Sequence, residues 1–433
     1  MNSQSKKMEL LGSTSIPKAL LAMGIPTMIG MLVNAFYNLV DAYFVGGLGE
    51  SQMGAISVVY PLGQVVVGLG LLFGNGAASY ISRLLGRGDK ENADKVASTA
   101  LYSSVSVGAV IIIISMVFLH PILKLLGATD SILPYAATYA GIYIVSCIFN
   151  VFNVTMNNIV TSEGAAKTTM CALLTGAVLN IALDPLFIYV FDLGVAGAAI
   201  ATAISQVVST CVYLTYIFRK KSVFHFRVKD CTYTKETMSE IFKIGIPTLV
   251  FQILTSVSIS LINNAAGDYG DSAIAGMGVV TRLISMGSLS VFGFIKGFQP
   301  IAGYSYGAKK FDRLREAIKT SILWSTVFCV IFGVILALFP TAIVSQFTKG
   351  DAEMIRIGAA SLRANGISIM LFGFYTVYSS LFLALGKGRE GFILGACRQG
   401  ICFIPVILLL PIVWGLNGIM YAQPIADVLS AVI

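Results

Sequence analysis

The chain has 433 residues, 56% of them hydrophobic and only 12% charged, about half the charge carried by a soluble protein. That balance excludes a large aqueous domain and makes lipid the expected surrounding. The net charge of +8 does not indicate nucleic acid, because the bases sit in connections between apolar runs and do not form a single basic face.

Taken in order, a polar segment over 1–14 is followed by an apolar run too long for the core of a signal peptide, so no cleavable leader is expected. Stretches long enough to cross a bilayer, at about 20 residues each, are predicted over 16–45, 54–84, 95–119, 132–158, 167–190 and 195–218. After a basic linker over 219–238 come six more, over 239–266, 274–304, 317–344, 353–385, 390–414 and 417–433. The expected fold is an all-α integral membrane protein of 12 transmembrane helices in two pseudo-symmetric six-helix bundles, 15–218 and 239–433.

Pseudo-symmetry is expected because the chain repeats itself. Gly24-Ile25-Pro26-Thr27 returns as Gly245-Ile246-Pro247-Thr248, and the same offset pairs Val58-Val59 with Val279-Val280, Gly76 with Gly297 and Gly86 with Gly307. Of the 29 Lys and Arg, 23 fall at the N-terminus or in every second connection, among them Arg83, Arg87, Lys167, Lys387, Arg389 and Arg398. By the positive-inside rule those connections and both termini are cytoplasmic. An even number of spans per half then makes the repeats parallel, as in transporters built from duplicated bundles. Pro26 and Pro247 occupy equivalent places in spans one and seven. Each removes a backbone hydrogen bond, so these are the expected hinges.

Polar groups inside apolar spans are candidate functional residues. Span one carries Asn34, Tyr37, Asn38 and Asp41 along one helical face. Span four carries Asn153 and Asn157, span five Asn180 and Asp184, span six Thr202 and Gln206. Asp41 and Asp184 both lie five or six residues before the outer ends of their spans, a little under about 10 Å deep. Asp41, Asn180, Asp184 and Thr202 are therefore expected to converge as a site that takes up a proton or binds Na⁺ through its oxygens. Asn34, Tyr37, Asn38, Asn153, Asn157, Gln206, Phe292 and Tyr375 are candidates for lining a substrate cavity. At the same offset Asp41 becomes Ile262, Asn180 becomes Ile401 and Asp184 becomes Pro405, so ion coupling is expected in the first half. The second half has its own charges, Arg282, Lys296, Arg356, Arg363 and Asp427, with no role that the sequence assigns.

Seven cysteines without C-x-x-C spacing read as small buried hydrophobes, and His120 and His225 have no partner at metal-ligand spacing. No G-x-x-x-x-G-K-[ST] loop occurs, which argues against ATP hydrolysis. No cofactor and no enzymatic activity are expected. A membrane-bound transferase is the alternative from another class, and its catalytic acid or nucleophile is not evident.

The chain resembles the multidrug and toxic compound extrusion (MATE) family over nearly its whole length. The resemblance is carried by the span-one segment G-I-P-T-M-I-G, by Asp41 with F-V-G-x-L-G from Phe44 to Gly49, by G-x-G-x-A-S-x-x-I-S-R-x-L-G-x-G-D from Gly74 to Asp89, and by L-N-I-x-L-D-P-L-F-I from Leu179 to Ile188. The acids look most like the DinF-like, MepA-type bacterial branch, in which positions matching Asp41, Asn180, Asp184 and Thr202 form the proposed cation site. Acids expected on spans seven and ten of the NorM-like branch are missing, span seven offering Asn263 and Asn264. The resemblance implies an outward-facing V-shaped cavity, alternating access, and export of amphipathic, often cationic compounds in antiport with H⁺ or Na⁺, by a monomer in the bacterial cytoplasmic membrane. A lipid-linked precursor flippase of the same superfamily is the alternative within transport.

Overall fold

A computed structural model describes residues 3–126, 128–267, 269, 271–347 and 352–432. Met1, Asn2 and Ile433, the ends of the expected N-terminal segment and twelfth span, lie outside it. The described residues are predominantly helical and contain no strand. A short helix α1 (Ser3–Gly12) leads into α2 (Ile16–Gly46), α3 (Glu50–Arg87), α4 (Lys90–Val117), the short α5 (Leu119–Leu125), α6 (Leu133–Ser162), α7 (Ala166–Pro185) and α8 (Gly194–Phe218). The second half comprises α9 (Lys235–Gly267), α10 (Asp271–Gly307), α11 (Phe311–Leu338), α12 (Pro340–Val344), α13 (Ala352–Ser368), α14 (Phe372–Ala384), α15 (Gly388–Ala396), α16 (Phe403–Trp414) and α17 (Leu416–Val432).

Eleven stretches of described helix are long and apolar enough to cross a membrane. One of them joins α13 to α14 through a 3₁₀ turn, and another joins α15 to α16 through a π-helical turn at Cys397–Ile401. The twelfth expected span is present as α17, whose 17 residues give about 26 Å at 1.5 Å per residue, a little short of a hydrocarbon core of about 30 Å. Caps follow from local sequence. Gly88 ends α3 at φ +80°, and Asp89 then accepts from the Asn92 backbone N–H at 3.2 Å to start α4. At the equivalent place in the second half Lys309 adopts the same left-handed conformation, φ +56°.

The two halves exchange helices where they meet. α3 packs on α9 and on α10, and α10 packs on α2. Glycine permits this approach: a Cβ on Gly86 would lie 2.1 Å from the Tyr304 carbonyl oxygen, and one on Gly307 would lie 2.1 Å from that of Arg83. Gly76 against Ile241, Gly245 against Leu72 and Gly297 against Met23 and Gly24 repeat the device. With backbones this close, van der Waals attraction takes the part that the hydrophobic effect plays in water. The prolines feed the same seam. Thr27, next to Pro26, gives its hydroxyl to the Gly293 carbonyl of α10 at 2.6 Å, and its counterpart Thr248, next to Pro247, accepts from Asn75 of α3 at 2.9 Å.

On the face that carries the 219–234 linker, α1 is held from both halves. Lys7 is ion-paired to Glu163 at 3.3 Å and also reaches the Tyr216 hydroxyl and, at 2.5 Å, the Lys221 carbonyl. Glu163 further accepts from Tyr216, from Ser222 Oγ at 3.0 Å and from the Val223 N–H at 2.6 Å. Burial holds the Lys7 ammonium below its ordinary pKa and lifts Glu163 above its own, while their mutual attraction works the other way. From the second half, Arg313 and Lys310 cap the carbonyls at the end of α1, on Leu11, Thr14 and Gly12. The linker therefore packs down on the first half: the His225 N–H also donates to Asp94 at 2.8 Å and the Thr232 N–H to Thr99 at 2.8 Å.

Because Glu163 is fully buried, Glu163→Gln leaves Lys7 as an uncompensated charge and should cost about 3 kcal/mol. A thermal-unfolding scan of the purified protein should show a clear drop in melting temperature, and a smaller drop for the double replacement Lys7→Met with Glu163→Leu. Equal losses in both proteins would disprove the account of the network.

Candidate functional site

The first site is built at the end of α2 remote from the linker. α7 lies along α2, with Gly30 admitting Leu173, and α8 lies along α7, where Ser209 donates to the Ala172 carbonyl at 3.1 Å and Gly197 meets the Phe187 backbone. These contacts bring Asp41, Asn180, Asp184 and Thr202 together as the sequence predicts. Asn180 Nδ2 lies 3.3 Å from Asp184 Oδ1 and 3.4 Å from Thr202 Oγ1. The Asp41 and Asp184 carboxyl groups lie close enough to interact electrostatically. Asp184 is fully buried and Asn180 is 1% exposed.

Three oxygens at this site, Asp41 Oδ1, Asp184 Oδ2 and Asn180 Oδ1, are buried with no hydrogen-bond donor among the described residues. Three unsatisfied acceptors from α2 and α7, two of them on acids, form a donor set suited to a small hard cation or to a proton. Tyr37 lies one turn before Asp41 on α2, and Tyr139 of α6, near enough to feel the charge of Asp41, is stacked on Tyr143 with ring centroids 5.6 Å apart. Tyr139 and Tyr143 were not singled out from sequence, although their four-residue spacing in span four is a signal for a shared face.

Pro185 follows Asp184 directly, and span five continues through a π-helical turn, Leu186–Val190, a feature that often marks functional places in helices. Tyr189 on that turn donates to the Phe44 carbonyl, fastening the end of α2 next to Asp41.

The remaining candidates separate into two groups. Asn153 and Gln206 are engaged with each other at 2.8 Å, and Thr210 donates to Asn153 at 2.9 Å, so these amides tie α6 to α8. Asn38 donates to the Asn34 carbonyl within α2 at 2.8 Å, and Asn157 contacts Tyr213 and Lys296. A cavity of about 540 Å³ lies mainly in the second half. Phe292 and Tyr375 line it, as expected, together with Pro247, whereas Asn34, Tyr37, Asn38, Asn153, Asn157 and Gln206 are not among its lining residues. Phe292 stands edge-on to Phe251 and Phe372, with centroids 6.1 Å and 5.4 Å away.

One placement needs correcting. Arg398, read from sequence as part of a basic connection, is 5% exposed inside span eleven, on the π-helical turn, and lines the cavity. It is held there by Asp427 of α17, whose Oδ1 accepts from Arg398 Nε at 2.8 Å. The partner is 29 residues away, and sequence spacing gives no sign of the pair.

A family model described as MatE matches residues 26–186 and 247–409. The multidrug export protein MepA of Staphylococcus aureus is 32% identical over 415 residues, spanning 96% of this chain and 91% of that protein. The protein of the same name from Staphylococcus saprophyticus is 32% identical over 419 residues, with 96% and 92% covered. A solved structure described as the outward-facing conformation of a multidrug resistance MATE family transporter of the MOP superfamily superimposes with a TM-score of 0.93 at 28% identity, covering 99% of this chain and 96% of that one.

Two neighbouring acids, each with a buried, orphaned oxygen, are a destabilising arrangement in the absence of an ion. Asp41→Asn and Asp184→Asn should each raise the melting temperature at neutral pH by a few degrees, since an amide supplies a donor where a carboxylate supplies repulsion. A drop in both variants, measured in sodium-free buffer, would mean that the acids are already satisfied.

Proposed function

The chain belongs to the MatE family, and from that premise we propose that it is a secondary active transporter that exports amphipathic, drug-like molecules in antiport with H⁺ or Na⁺. The observation that carries this reading is the close approach of Asp41 to Asp184 around three buried oxygens, Asp41 Oδ1, Asp184 Oδ2 and Asn180 Oδ1, that have no hydrogen-bond partner among the described residues. Two carboxylates at that range repel when both are ionised, and the repulsion is strong where the dielectric constant is low. A proton or a sodium ion between them removes the repulsion. Binding therefore favours the arrangement in which α2 and α7 are drawn together, and loss of the ion favours the other.

A contiguous route joins this site to the cavity. Asp41 is on α2, α2 touches α10 through Thr27 and Met28 at Gly293, and the residues next to Gly293 on α10 include Phe292 and, one turn on, Lys296, both on the cavity wall. A shift of α2 about Pro26 is thus felt where cargo would sit. Pro247, equivalent to Pro26, lines the cavity itself. In this scheme the lobes 15–218 and 239–433 rock about the glycine seam, with the 219–238 linker and both termini on the cytoplasmic side of a bacterial membrane, and a single copy carries both sites.

The deciding experiment is efflux of an amphipathic dye from proteoliposomes under a pH gradient and a sodium gradient imposed separately. One gradient should drive efflux, and Asp41→Asn and Asp184→Asn should each reduce it at least tenfold. Full gradient-driven efflux in both variants would refute the coupling site.

A further inference from the structure

The charged groups on the wall of the second-half cavity are of one sign. Lys296 and Arg398 line it, and no Asp or Glu does so among the described residues. The rest of the wall is apolar and aromatic, with neutral donors such as Thr248, Gln252 and Gln423. Lys296 lies eleven residues from the linker-side end of α10, and Arg398 ten residues from that of α15. At 1.5 Å per residue both are about 15 Å deep, at one level.

The two cations differ in their partners. Asp427, 8% exposed, accepts from Arg398 Nε at 2.8 Å, from Gln423 Nε2 at 2.8 Å and from Ser368 Oγ at 3.0 Å. Its charge is spent on Arg398, and Nη1 and Nη2 of that guanidinium have no hydrogen-bond partner among the described residues. Lys296 has no acid: its ammonium rests on the neutral amide oxygen of Asn157, across the seam on α6. One ammonium and one neutralised ion pair leave the cavity with a net positive charge. A cationic ligand there would meet a like charge in a poorly screened space, which is a device for rejection.

We propose that this cavity takes an amphipathic anion, a molecule with one carboxylate, sulfonate or phosphate head on an apolar body. Lys296 holds the head, the free edge of Arg398 assists, and Phe251 and Phe292 cover the body. The inference rests on the export reading above and assigns to this cavity the opposite charge from the cationic cargo that family resemblance implies. A soluble amphiphile and a lipid phosphate share this chemistry.

The test uses the full chain in phosphatidylcholine nanodiscs, without any gradient, and measures equilibrium binding of tritiated taurocholate and of tritiated tetraphenylphosphonium. Taurocholate should bind saturably. Lys296→Gln should weaken it at least tenfold and Lys296→Arg less than threefold, with tetraphenylphosphonium not weakened by either. Replacing Arg398 and Asp427 together by Gln and Asn preserves the charge balance and should cause a smaller loss than Lys296→Gln. Displacement of taurocholate by dioctanoyl phosphatidic acid would identify lipid phosphate as a ligand; its failure to compete would assign the site to soluble amphiphiles. Absence of saturable taurocholate binding, or equal binding by a Lys296→Gln protein that melts like the parent, would overturn the proposal. Gradient-driven efflux by Asp41→Asn and gradient-free taurocholate binding by Lys296→Gln are separate readouts, so a failure of coupling and a failure of the cavity assignment give different patterns.

Discussion

The close passage of helix backbones at the seam between the halves is the constraint on which the rest depends. α2 against α10, α3 against α9 and α3 against α10 come within a distance that any side chain larger than hydrogen would forbid at Gly297, at Gly76 and Gly245, and at Gly86 and Gly307. In lipid there is no water to expel between helices, so contact area at short range supplies the attraction. The same seam carries the two Pro-Thr steps, so the parts of α2 and α9 with weakened backbone hydrogen bonding are also the parts most tightly engaged with the opposite half. A small set of residues thereby joins the acid pair, the Pro26 and Pro247 steps and the cavity into one connected unit.

Beyond this shared frame the halves have diverged in how they handle buried charge. The first half keeps two acids together with their oxygens unsatisfied. The second half, at the position matching Gln206, has Asp427 and satisfies it with a guanidinium, an amide and a hydroxyl. An unsatisfied cluster responds to an ion because it gains so much from one; a saturated pair fixes a shape and sets a local field. Duplicated architecture thus supports two electrostatic tasks, one responsive and one static.

Much of this was legible in the sequence. Spans announce themselves by hydropathy, the repeat by a constant offset, and the convergence of Asp41 with Asn180, Asp184 and Thr202 by helical spacing combined with depth below one surface. What was not legible depends on contacts between distant segments. Arg398 falls inside the span predicted over 390–414 yet counts among the basic residues of the preceding connection; Asp427 and a π-helical turn accommodate its burial, and neither has a local signature. Asn153 and Gln206 look like cavity residues and turn out to bind each other, because an amide inside a membrane serves equally to receive cargo or to hold two helices together. The break of span ten at Ile369–Leu371 likewise has no signature in the composition.

The clasp made by α1 sets an order of events on the linker face. Its ties to the first half are dry and charged, through Glu163 and Tyr216, whereas its ties to the second half are part-buried bonds from Arg313 and Lys310 to main-chain oxygens. Water can replace the latter at much lower cost than the former. In the proposed rocking of the lobes, parting on that side would start at the arginine, with the small helix riding as a passenger on the bundle that owns the acid pair.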